Sequence, residues 1–129
     1  LLFGCSVRHL EGHDRYSEIC IEDQTQILLE LGNEDLDCAS TAAQAGQIRL
    51  QFAPPEPFVP PIELAKKDFT LAQWCPQDGA CLDIADIQLH IVAYEEGIAL
   101  SASYWVTLSD GIRFEGEAGA QLCDVFTCP

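Results

Sequence analysis

The sequence predicts a mainly-β fold: an antiparallel sandwich or barrel-like sheet with a C-terminal meander and one helix, with an α+β sheet as the alternative. Three observations carry this. From Ile84 to Ala120 apolar residues recur at every second position, the period of a strand with one buried face. The same alternation occupies Gln47 to Ala53. Between these blocks lie Pro54, Pro55, Pro57, Pro60 and Pro61, five prolines in eight residues, which exclude both helix and central strand.

The first third of the chain is the least decided. Ile27, Leu29 and Leu31 suit a strand, while Tyr16, Ile19, Cys20, Ile27 and Leu31 loosely suit a helix. Asn33 is placed to cap a helix running through the Ala-rich stretch to Gly46. Glu34, Asp35 and Asp37 would then lie near the positive end of its dipole. Ile48, Leu50 and Phe52 form the inward set of the next strand. The proline segment reads as an extended crossing, and Phe69 to Trp74 as a strand. In the meander, Ile87, Leu89, Ile91 and Ala93 alternate with other residues up to a turn at Glu95-Glu96-Gly97. Ile98, Leu100, Ala102, Tyr104, Val106 and Leu108 then share a core face, and Trp105 stands opposite them among Ser and Thr. After the Ser109-Asp110-Gly111 turn, Ile112, Phe114 and Gly116 continue the core face.

The 129 residues fit one domain, taken as 18–129, behind a flexible tether over 1–17. No stretch of apolar residues is long enough for a membrane-spanning helix. Twenty-one acidic residues against six Lys and Arg give a net charge of −15. Such a surface repels phosphate backbones and anionic headgroups, so nucleic acid is not an expected partner, whereas basic proteins are. Methionine is absent, which suggests a processed product or a fragment.

Leu2-Phe3-Gly4-Cys5 resembles the lipobox of bacterial lipoproteins, an apolar residue and two usually small ones before a cysteine. Phe3 is bulkier than the pattern's usual residue. The resemblance implies cleavage before Cys5, acylation of Cys5, and a membrane partner reached through that lipid. By enterobacterial sorting rules, Ser6 in the next position implies the outer membrane. Two or more acyl chains anchor stably where one does not.

Seven cysteines are an odd number for an oxidising compartment. Setting Cys5 aside leaves Cys20, Cys38, Cys75, Cys81, Cys123 and Cys128, expected as structural disulfides. Proximity in sequence favours 20–38, 75–81 and 123–128, out of fifteen possible connectivities.

Chemistry is thin. His9 and His13 have a zinc-like spacing, but Gly12 opposes the helix this requires and no third ligand is near. Asn33, Asp35 and Asp37, or Asp78, Asp83 and Asp86, do not match a calcium loop. No nucleophile elbow, zincin motif or phosphate loop occurs. Neither catalytic residues, a metal nor a cofactor is therefore expected. Trp105, His90 and Gln88 form a possible binding face if no second sheet covers it. The expected function is a lipid-anchored, non-catalytic binding module of the bacterial envelope, serving a larger assembly through a protein partner. The alternatives are an acidic inhibitor of a basic hydrolase, resting on charge alone, and a secreted soluble domain if the lipobox is not processed.

Overall fold

The computed structural model describes residues 7–10, 14–32, 38, 46–76, 79–125 and 128. Nine strands follow in order: β1 (Val7–Arg8), β2 (Asp14–Ile21), β3 (Gln24–Gly32), β4 (Gln47–Phe52), β5 (Ile62–Ala65), β6 (Phe69–Cys75), β7 (Leu82–Glu95), β8 (Ala99–Leu108) and β9 (Arg113–Val125). Seven of them close into a barrel, β2-β3-β4-β6-β7-β8-β9, in which β9 returns to lie beside β2. The mainly-β reading holds, and the sheet is a closed barrel.

The sheet is mixed. β2 and β1 both run parallel to β9, whereas the other neighbours are antiparallel. A parallel pair needs a long connection, and here β2 and β9 come from opposite ends of the chain. Closure then pairs the strand edges that an open sheet leaves bare. β5 and β6 share one edge of β7: β6 pairs at Gln73 and Trp74, and β5 at Ile62 to Ala65. A single 3-10 turn, Lys66–Asp68, separates the two, held by Asp68 Oδ2 accepting from the Ala65 amide at 2.8 Å.

Each strand delivers its apolar parity to the barrel interior. Ile27, Leu29 and Leu31 meet Ile48, Leu50 and Phe52 across β3 and β4, all six buried. Leu100, Ala102, Tyr104, Val106 and Leu108 of β8 are buried with Ile87, Leu89 and Ile91 of β7 and Phe114 of β9. Trp74 stacks against Phe114 at 4.7 Å, and Phe52 meets Phe69 edge-on at 5.7 Å. The interior is filled by side chains, as a barrel of this size requires.

Two deviations from the sequence pattern have a visible cause. β7 carries bulges between Ile84 and Asp86 and between Ile91 and Ala93. The second inserts Val92, 52 % exposed, and swaps the parity, so Ala93 faces solvent and Tyr94 faces inward opposite Leu100. Ile98 precedes β8 inside the turn and is 60 % exposed, so it does not join the core face.

The start of the chain also departs from expectation. β2 begins at Asp14, within the segment assigned to a tether, because Tyr16 belongs to the core and Asp14, Arg15 and Tyr16 are all buried. The residues that loosely suited a helix there form β2 and β3 instead. The helix expected from Asn33 to Gly46 lies largely outside the described residues, and no α-helix occurs among those described.

Of the expected disulfides, Cys75–Cys81 forms. The other four cysteines pair as Cys20–Cys128 and Cys38–Cys123, not 20–38 and 123–128. Strand geometry explains the correction. Cys123 lies inside β9, which stays extended to Val125 and carries the chain away from it. The parallel register Tyr16↔Leu122 and Glu18↔Val125 instead brings Cys20 level with the C-terminal residues.

Candidate functional site: the outer tryptophan face and the barrel mouth

Two surface features stand out. The first is the outer face of β7, β8 and β9. Trp105 projects away from the core, half-buried, and no second sheet covers it among the described residues. Its Nε1 donates to Gln88 Oε1 at 2.9 Å, from the residue directly opposite on β7. The Arg113 guanidinium lies over its ring at 4.5 Å and donates in turn to Glu115 Oε1 at 2.8 Å. This fixes the indole in one orientation. A groove of about 570 Å³ runs beside it, lined among others by Glu63, Lys67, Asp68, Asp86 and Gln88.

His90 lies two residues along β7 on the same outer face, with Nδ1 3.3 Å from Glu63 Oε1 on β5. It does not line the groove. The fold therefore brings Gln88 and Trp105 into contact and leaves His90 as their neighbour, paired separately.

The second feature is the barrel mouth. Glu18 has the inward parity of Tyr16 and sits opposite Ile27. A groove of about 660 Å³ opens there, lined by Glu18, Ile27, Pro54, Pro55, Glu56, Pro57, Phe58, Tyr94 and Glu96. The β7 bulge turns Tyr94 inward, and the proline crossing brings Phe58 against it at 4.5 Å. Tyr94 donates a long hydrogen bond, 3.5 Å, to Glu18 Oε1. Beneath lies Tyr16, with its ring 6.4 Å from that of Tyr94. Tyr16 is fully buried, and its hydroxyl has no hydrogen-bond partner among the described residues.

Burial, reinforced by Tyr94 and Glu18, pushes the Tyr16 phenol up to about 12. Burial also raises Tyr94, helped by Glu18 and Glu96. The sequence reading missed this mouth. Its one local signal was an acid, Glu18, at the inward parity of a strand. The bulge and crossing that complete the groove are not local features.

The remaining candidates are quickly placed. His9 Nδ1 donates to the Glu115 carbonyl at 2.8 Å, pinning the segment after β1 to β9. His13, Asn33, Asp35, Asp37 and Asp78 lie outside the described residues, as does Cys5. Asp86 Oδ1 accepts from the Ile87 amide at 2.9 Å, a local contact beside the first β7 bulge. Among the described residues no three His, Cys, Asp or Glu are grouped to hold a metal.

Comparison with protein-family models, with curated proteins and with solved structures finds no match, so any functional reading rests on the residues and geometry above.

Proposed function

We propose that this chain is a lipid-anchored, non-catalytic binding module of the bacterial envelope, held at the outer membrane through Cys5 and serving a larger assembly. The observation that supports it best is the cysteine balance. Six of seven cysteines pair with one another, which leaves Cys5, the lipobox cysteine, outside the three disulfides. Disulfides of this kind belong to oxidising compartments. The partner-facing element in this reading is Trp105, a half-buried aromatic on the outer face already held by Gln88 and Arg113. An anchor residue ordered before binding loses little entropy on docking.

The test is made in the native host with Cys5→Ser and Trp105→Ala. Cys5→Ser should move the protein from the membrane to the soluble fraction with its fold intact. Trp105→Ala should leave it on the membrane and weaken capture of its envelope partner by about tenfold or more. Membrane association that survives Cys5→Ser would contradict the anchor. Unchanged capture by Trp105→Ala would remove that face from the account.

A further inference from the structure

We infer that the barrel mouth is a docking groove for an arginine side chain presented by a basic protein partner. The inference deepens the binding-module reading by naming the partner's chemistry, and it uses a different surface from Trp105. Three features of the groove converge on a cation with a long apolar stem. Glu18, Glu56 and Glu96 supply three carboxylates, and no Lys, Arg or His is among the described lining residues. The Glu18 carboxylate makes no ion pair with any described residue, and its one hydrogen bond among them is the long one from Tyr94. Ile27, Phe58, Tyr94 and the rings of Pro54, Pro55 and Pro57 form the walls between these carboxylates.

A compact ammonium needs only charge, and a purely apolar group needs no carboxylates. A guanidinium uses both, because its plane stacks on aromatic rings while its fork of donors binds carboxylates. At about 660 Å³ the groove admits such a side chain with part of its backbone. The net charge of −15 adds long-range attraction for a basic protein and raises the encounter rate.

The test is an NMR titration of the full chain with acetyl-Gly-Arg-Arg-Gly-amide, against the same peptide carrying citrulline, the uncharged isostere. The expected result is a set of shifts centred on Glu18, Glu56, Phe58, Tyr94 and Glu96 with the arginine peptide only. The triple variant Glu18→Gln, Glu56→Gln, Glu96→Gln should weaken binding by about tenfold or more. A control losing equal charge from exposed sites elsewhere, Glu22→Gln, Asp83→Asn, Glu117→Gln, should lose less than about threefold. Phe58→Ala, which leaves the carboxylates in place, should weaken binding several-fold through its lost stacking. Retained shift dispersion in each variant shows that its fold is intact.

Equal losses in the two triple variants, equal binding of the citrulline peptide, shifts centred on Trp105, or no binding at millimolar peptide would each overturn the assignment. None of these contradicts the envelope-module reading, whose anchor is tested at Cys5 and whose docking face is tested at Trp105.

Discussion

At the residue scale, several positions are set by a single contact. Gly46 lies against the Trp74 ring, and a Cβ built there would sit 2.8 Å from Trp74 Cη2. That ring is itself packed on Phe114, so it has little room to retreat. Gly46→Ala should therefore destabilise the protein by about 1–3 kcal/mol, the usual range for overpacking, read from denaturant unfolding. The tyrosines make a second prediction. The chain has three, and each ionises later than its ordinary value of 10.0. Burial is the first cause at Tyr16, at Tyr94 and at Tyr104, the last also facing the negative charge of Asp14. The unfolded chain then releases these protons first as pH rises. Their stabilising effect is whole below about pH 10 and drains away as pH climbs toward about 12. An absorbance titration at the tyrosinate band should show little ionisation at pH 10, and a cooperative rise that coincides with unfolding above it. A smooth transition near pH 10 in a folded protein would contradict the buried environments.

At the element scale, the outcome depends on whether a feature is local. The alternation Leu100, Ala102, Tyr104, Val106, Leu108 was legible because a strand's two faces are written at adjacent positions. The turns at Gly97 and Gly111 were legible because both take positive φ, 77° and 92°, where glycine is the least strained residue. The extra residue at Val92 was not, since a bulge is defined by the partner strand and the sequence of β7 looks regular through it. For the same reason the inward turn of Tyr94, and with it the mouth groove, had no signature. The Trp105 face was legible as a face, whereas its Gln88 contact depends on the β7–β8 register. The buried Arg15–Glu30 pair, 3.0 Å apart on adjacent strands with Arg49 approaching from the next, likewise needs the β2-β3-β4 order.

At the scale of the whole molecule, closure is the decisive event. Joining β2 to β9 brings residues from the two ends of the chain together, and Cys20–Cys128 spans 108 positions across that seam. In the chain-entropy view a loop of that length constrains the unfolded state by about 4–5 kcal/mol, against about 2–3 for a short loop such as Cys75–Cys81. Neighbour-in-sequence pairing failed at this point, because a parallel seam makes distant cysteines close and holds nearby ones apart along a strand. Cys20→Ser with Cys128→Ser should accordingly cost about twice the unfolding free energy of Cys75→Ser with Cys81→Ser. A larger loss from the short loop would argue against the parallel seam. The net charge of −15 acts at the same scale, since it offers no electrostatic hold on an anionic membrane; in the proposed reading the hold comes from the lipid on Cys5.

The proposed attachment through Cys5 is tested most directly by the intact mass of the protein purified from its native membrane, before and after reduction. The expected result is a chain beginning at Cys5 with added acyl mass, gaining six hydrogens as its three disulfides open. A chain that keeps Leu1–Gly4, carries no lipid and holds Cys5 in a disulfide would contradict it, and the acidic barrel would then stand as a secreted soluble domain.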